Sequence, residues 1–371
     1  MNINDNVIEI IKNKITTEYK EDISLLIEYD AKPLNGEKNI GSSFYFVPKT
    51  EKARRLSTQF IIEDISYDLF PMEWSRLVAI AAMDSPQAYL ILDSKILYSS
   101  CDEELQRFKD YKTELTSIMN GGYEEALLNK SFEYFNETYI YLFNMQNIAK
   151  SLIDMKIEIS KILSTIANSL AFSNSTYYKG GNGSYVSIIE ESFNLEKLPI
   201  NYETLVRKLI FSDNMDELLS SVNELLNNTR TFLHHEKEIL AQTEPFEIFF
   251  IGYYEELKRV LNRFLIAADN KDYIKLFSLS SYIHEELSQF MTKVERGLWF
   301  DDRNVYSEYS QTFDKYFKVD LLQLICDKNQ NEIISSIKKF ETDFVSLLNN
   351  EGINLLNFNS TQDFNNYFQS K

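Results

Sequence analysis

The sequence predicts an α+β protein, with a mixed sheet and flanking helices in its N-terminal third and mostly helices after it. Two patterns support this prediction. Apolar, β-rich runs bounded by turn residues occur between residues 23 and 98, and apolar residues recur every three to four positions beyond about residue 115. Gly and Pro are scarce, at 10 and 6 of 371 residues, which favours long uninterrupted helices.

The N-terminal elements follow from local patterns. Apolar residues at positions 7, 10, 11 and 15 predict a first amphipathic helix over 5–20. Two short apolar runs, 24–29 and 43–47, predict strands separated by a loop that contains Pro33 and Gly36. The next predicted elements are a helix over 50–58, further strand within 59–70, a helix over 73–83, a helix end with a short strand within 88–98, and a helix from residue 102.

The helical remainder predicts further domains. Apolar residues at 159, 162, 163, 166 and 170 form one stripe of a helix, and residues 218–233 form another. Gly pairs at 121–122 and 180–181 interrupt the pattern, and Pro199 and Pro245 mark boundaries. We therefore expect a domain over 1–115, a helical bundle over 116–244, and a helical region over 245–371 that is either separate or continuous with the bundle.

Charge and cysteine content exclude several classes of protein. The formal net charge is −18, which argues against general binding to nucleic-acid phosphates. The best local basic patch is 49–55, which begins at Lys49. The two cysteines, Cys101 and Cys326, form neither a disulfide framework nor a zinc motif. The charged N-terminus and the lack of a 20-residue apolar stretch predict a cytoplasmic protein with no membrane span.

The order of elements over residues 5–110 carries a recognisable motif in altered form. The first strand runs into Tyr29, Asp30 and Ala31, and the second strand follows Gly41, Ser42 and Ser43. A later strand contains Asp68 within residues 67–71. This order resembles nucleotidyltransferases of the DNA polymerase β superfamily, and kanamycin nucleotidyltransferase in particular. In active members the first strand ends in Gly-Ser, the second carries Asp-x-Asp, and a later strand adds a third Asp.

The resemblance implies a degenerate active site. The two Asp positions of the second motif correspond to Gly41 and Ser43, and Asp68 corresponds to the third carboxylate and is the candidate catalytic residue. Two-metal phosphoryl transfer needs carboxylates to hold the ions, so Mg²⁺ is expected only if activity is retained, and we assign no metal site. Ser42 and Ser43 can bind a phosphate through their hydroxyls and backbone N–H groups, and Lys49 can contact one through its charge, so these three are the candidate nucleotide-binding residues.

Residues 166–183 and 198–202 resemble the helical domain that follows the catalytic domain in some of these enzymes. The resemblance implies Glu158 as a general base contributed by that domain. A simpler interpretation stays open for each polar position: Asp at a strand end is common in turns and helix caps, and Gly-Ser-Ser commonly forms a turn into a strand.

Three hypotheses about function follow. The first is a divergent nucleotidyltransferase-like protein without two-metal transfer, which binds a nucleotide or another small molecule between its domains. The second is a helical protein–protein interaction module that binds no nucleotide, because the acidic, aromatic-rich helical half offers faces for a partner. The third is a residual nucleotidyltransferase that acts on a small molecule.

Overall fold

The computed structural model describes residues 3–29, 43–178, 185–298 and 309–370. The chain forms two compact units, Met1–Lys237 and Glu238–Lys371. The first unit contains residues on both sides of 115–116, and the division between the units lies at 237–238. As predicted, the fold is α+β, with a mixed five-stranded sheet near the N-terminus and helices after it.

The sheet and its helices occupy the start of the first unit. In chain order its elements are α1 (Ile3–Glu18), β1 (Ile23–Tyr29), β2 (Ser43–Pro48), a 3₁₀ turn (Glu51–Leu56), β3 (Thr58–Ile62), β4 (Ile65–Pro71), α2 (Trp74–Ala81), α3 (Tyr89–Leu92), β5 (Ser94–Ser99) and α4 (Asp102–Met119). The strand order is β3-β4-β2-β1-β5, and among the described strands the β2–β4 pair is parallel and the other three pairs are antiparallel. The strand predicted within 59–70 is thus a hairpin of two strands.

Each face of the sheet packs against its own set of helices. On one face, Leu26, Phe44 and Phe46 form a core with the buried stripe of α1. On the other face, alternating residues such as Ile27 and Tyr45 pack against α2, α3 and α4. This alternation follows from the two-residue repeat of a strand and explains why both central strands read as continuous apolar runs.

The rest of the first unit is helical. Its helices are α5 (Glu124–Asn147), α6 (Leu152–Ser173), α7 (Tyr185–Ser192), α8 (Tyr202–Phe211) and α9 (Met215–Leu240), the last of which crosses the division between the units. The apolar stripe predicted within 157–170 is buried in α6, as expected. A capping box formed by Ser151 and Asp154 begins this helix by satisfying backbone N–H groups.

The second unit contains only helices among its described residues. They are α10 (Phe246–Phe250), α11 (Tyr253–Asp269), α12 (Tyr273–Arg296), α13 (Tyr309–Phe317), α14 (Leu321–Asp327), α15 (Gln330–Asn350) and α16 (Thr361–Gln369). Stacked and edge-on aromatic rings dominate its core, with Phe250, Phe340 and Phe344 at the centre. Throughout the described ranges, every helix is too short or too polar to cross a bilayer.

Candidate functional site at one edge of the sheet

Five polar residues form a row across the sheet where the strands meet the loops. The row reads Ser94 on β5, Tyr29 on β1, Ser43 on β2, Asp68 on β4 and Gln59 on β3. Each residue is the register partner of the next, and directly opposed residues on neighbouring strands point to the same face. The row therefore lies on the face that carries the Tyr45 and Phe70 rings, and its Tyr29 is itself part of the core on that face.

Asp68 is the carboxylate of this row. Desolvation raises the pKa of Asp68, and a hydrogen bond with the Gln59 side chain opposes the rise. Its register partner is Ser43, which is buried. The two positions that the resemblance implies as metal ligands on separate strands are therefore adjacent in space.

The charges of Asp68 and of Arg76, a residue of helix α2, both act on the Tyr29 phenol. Burial raises the pKa of the Tyr29 phenol, the hydrogen bond with Ser43 lowers it, the negative charge of Asp68 raises it, and the positive charge of Arg76 lowers it. The Arg76 side chain is exposed, and its Nη2 donates to Gln87 Oε1 at 2.8 Å. The row thus has a guanidinium group within electrostatic reach.

A second carboxylate, Asp93, lies at the β5 end of the row, and sequence reasoning missed it. Asp93 immediately precedes Ser94, and its Oδ1 accepts a hydrogen bond from the Tyr177 hydroxyl at 3.3 Å. Among the described residues, its buried Oδ2 has no hydrogen-bond partner. Burial and the Asp93 charge raise the pKa of Tyr177 to about 12, so the phenol stays protonated and keeps donating. Tyr177 follows α6, so a segment of the helical part reaches the sheet edge.

The donor set does not fit a two-metal site. Three strand spacings of ~4.8 Å separate β4 from β5, which places Asp68 and Ser94 about 14 Å apart. Two carboxylates that share a Mg²⁺ ion must bring their oxygens to ~2.1 Å from it, so Asp68 and Asp93 cannot share one. Within the described ranges, no three side chains of His, Cys, Asp or Glu cluster closely enough to hold a metal ion.

The other predicted site residues lie elsewhere. Ser42 falls outside the described residues. Lys49 is exposed just beyond the far end of β2, about 20 Å from Ser43 at ~3.3 Å per residue. Glu158 on α6 accepts from Lys161 at 2.7 Å and from Asn144 at 3.2 Å. It lies about 21 Å along the helix from Phe172, the α6 residue that packs under the sheet. The structure brings together Ser43 and Asp68, and it does not bring Lys49 to them.

No protein-family model matches the sequence, and no curated protein matches it. Among solved structures, a nucleotidyltransferase-like protein from Exiguobacterium sibiricum 255-15 is similar over 62% of this chain and 79% of its own, with 11% sequence identity and a TM-score of 0.33. Similarity at this level does not establish a shared family.

Proposed function

We propose that the protein binds a nucleotide, or a small molecule of similar chemistry, along the polar row without carrying out two-metal nucleotidyl transfer. The observation that supports this most directly is the row itself, in which five register partners at the end of an apolar sheet are all polar. The order of strand, loop and strand that resembles nucleotidyltransferases points to the same ligand class.

The groups along the row match the parts of a nucleotide. Arg76 supplies a positive charge for a phosphate, and the Tyr29 and Ser43 hydroxyls can donate to its oxygens. At the other end, an N–H group of a base or a sugar hydroxyl that reaches Asp93 Oδ2 would supply the hydrogen bond that this buried oxygen lacks. Across the row, about 14 Å separates Asp68 from Ser94.

Asp68 makes the binding of an anion depend on pH. A phosphate bound beside an ionised carboxylate is repelled, and protonation of Asp68 removes that repulsion. Because burial raises the pKa of Asp68, protonation begins at a higher pH than for an ordinary Asp. We therefore expect affinity to rise as the pH falls toward the pKa of Asp68, and the substitution Asp68→Asn to remove this dependence.

Calorimetric titration with ATP, GTP, CTP and UTP, each with and without Mg²⁺, tests the proposal. We expect binding that does not need Mg²⁺ and that weakens about tenfold, or about 1.4 kcal/mol, in Arg76→Ala and in Asp93→Asn. Matched controls are Arg55→Ala, an exposed Arg that follows the far end of β2, and Asp64→Asn, in the turn of the β3–β4 hairpin.

Two outcomes would contradict the proposal. If no nucleotide binds at millimolar concentration, the row is not a nucleotide site. If binding requires Mg²⁺ and is lost in Asp68→Asn, a residual transferase is the better assignment, and assays of transfer to small-molecule acceptors follow.

A further inference from the structure

The β5 end of the polar row carries a lysine with unused hydrogen-bond donors. Lys112, a half-buried residue of α4, donates from Nζ to the Ser94 carbonyl oxygen at 3.2 Å. An ammonium group has three N–H donors, and within the described ranges this carbonyl is the only protein acceptor of Lys112. No described carboxylate forms an ion pair with it. Two donors of Lys112 are therefore available to a ligand.

A second half-buried lysine of the first unit shows what Lys112 lacks. Lys130 Nζ lies 2.8 Å from Asp84 Oδ1 and 3.1 Å from Glu133 Oε2, so two carboxylates compensate its charge. Partial burial removes water from an ammonium group, and that loss is costly unless other acceptors replace the water. At Lys112 a single carbonyl oxygen of the described chain does so. Oxygen atoms of a ligand would complete its set of acceptors.

A carboxylate with unused acceptor positions lies beside this lysine. Asp93 directly precedes Ser94, so their Cα atoms are about 3.8 Å apart. Of the roughly four acceptor positions on its two oxygens, the Tyr177 hydroxyl occupies one, on Oδ1. Oδ2 is buried and has no partner among the described residues, which is a costly state for a charged oxygen. A donor that reaches Oδ2 would form a hydrogen bond shielded from water.

The unused donors of Lys112 and the unused acceptors of Asp93 together match a vicinal diol. A hydroxyl both donates and accepts, so one hydroxyl of a diol can donate to the carboxylate while its neighbour accepts from the ammonium group. The ribose of a nucleotide carries such a pair on its 2′ and 3′ carbons. A carboxylate is also the group that binds the ribose hydroxyl in dinucleotide-binding folds.

We propose that Asp93 and Lys112 bind the two ribose hydroxyls of the nucleotide, so that the polar row selects ribonucleotides over deoxyribonucleotides. This inference rests on the function proposed above and adds an orientation for the ligand. Tyr29 is the register partner of Ser94 on the next strand. Because the 5′-phosphate projects from the ring carbon beside the diol, a ribose held at Ser94 extends its phosphate along the row toward Tyr29 and the charge of Arg76.

The selection follows from what a deoxynucleotide leaves unpaired. Without one hydroxyl, either the carboxylate of Asp93 or a donor of Lys112 is covered by the ligand and receives no hydrogen bond. A site that hydrogen-bonds a hydroxyl discriminates against an analogue without it for this reason. We therefore expect each missing hydroxyl to weaken binding by about tenfold or more.

Calorimetric titration with ATP, 2′-deoxy-ATP and 3′-deoxy-ATP, all without Mg²⁺, tests the assignment. The wild type should bind each deoxy analogue about tenfold more weakly than ATP. In Lys112→Met the preference for ATP over one analogue should disappear, and in Asp93→Ala the preference over the other. The ratio of affinities is the quantity to compare, because loss of the Lys112 charge weakens the binding of all three triphosphates alike.

Two further variants serve as controls. Lys95 follows Ser94 on β5 and is exposed on the opposite face of the sheet, so Lys95→Met removes the same charge without touching the row. It should keep the full preference for ATP. Lys112→Arg keeps a positive donor on α4 and should retain most of the preference. Melting curves establish that each variant is folded, and the comparison of the three ligands on the wild type needs no variant.

The outcomes separate this inference from the function on which it rests. Equal affinity of the wild type for ATP and both analogues overturns the ribose assignment, while weaker binding in Arg76→Ala would still support nucleotide binding along the row. A preference for ATP that persists in both Lys112→Met and Asp93→Ala also overturns the assignment, because other residues then bind the ribose. If none of the three ligands binds at millimolar concentration, both proposals are wrong.

Discussion

At the scale of single residues, His284 acts as a buried acceptor at the start of helix α14. Its Nε2 accepts the Leu321 N–H at 3.2 Å, and its ring stacks on Phe313 with centroids 3.8 Å apart. Burial lowers the pKa of His284, while the negative charges of Asp320 and Asp314 partly oppose that shift. The neutral ring is therefore the form that fits, because a protonated Nε2 would become a donor and could not accept.

This geometry predicts a loss of stability in mild acid. The folded pKa lies below the unfolded value of 6.5, so the unfolded state binds a proton first as the pH falls. The melting temperature of the second unit should therefore decrease from pH 7.5 to pH 5.5. In His284→Phe the melting temperature should depend less on pH between pH 7.5 and pH 5.5. The same substitution should lower the free energy of unfolding by roughly 1–3 kcal/mol, because the Leu321 N–H loses its acceptor. If the melting temperature changes with pH equally in the wild type and in His284→Phe between pH 7.5 and pH 5.5, His284 is not the source of the pH dependence.

At the scale of elements, the end of helix α12 depends on a glycine. Gly297 caps the helix with a φ of +68°, and a Cβ at this position would lie 2.7 Å from the backbone carbonyl carbon and oxygen of Gln242. Gly352, just beyond α15, also has a positive φ of +78° but has open space around it. Substitutions at the two glycines therefore allow the free-energy cost of backbone strain to be measured apart from the cost of steric overlap.

We expect Gly352→Ala to cost about 1–2 kcal/mol, the usual penalty for a left-handed alanine. Gly297→Ala should cost ~1–3 kcal/mol more, because the backbone of Gln242 has to move. Urea unfolding of both variants measures the difference. Equal losses in the free energy of unfolding would mean that the backbone at Gln242 moves aside with no energetic penalty.

The elements also separate what the sequence predicts from what it does not. The stripe of α6 was predictable because helix periodicity is local, and Ile162 and Ile166 are fully buried as expected. The β3–β4 hairpin was not resolved into two strands, because its turn residues Glu63 and Asp64 adopt positive φ without the usual Asn-Gly signal. Asp93 was missed because a single Asp in a turn gains meaning only from strand pairing far along the chain.

At the scale of the whole molecule, the two compact units each have cores of their own. We expect calorimetry to resolve two unfolding transitions, because each unit buries enough apolar surface to melt cooperatively. Gly297→Ala should lower only the transition of the second unit. Ser151→Ala removes the α6 cap and should lower the free energy of unfolding of the first unit by about 1 kcal/mol, so only the transition temperature of that unit should fall. A single transition that both substitutions lower would show that the units unfold together.

The strand order has a consequence for how the chain is made. Strand β1 pairs with β2 soon after it in the chain, but its other edge pairs with β5, where Tyr29 meets Ser94. During synthesis at roughly 5–20 residues per second, that edge stays unpaired for several seconds, until residue 99 has emerged from the ribosome. An open edge that carries Leu25, Leu26 and Ile27 is prone to pair with other chains. Between the synthesis of residues 29 and 99, the β1 edge is therefore exposed to pairing with other chains.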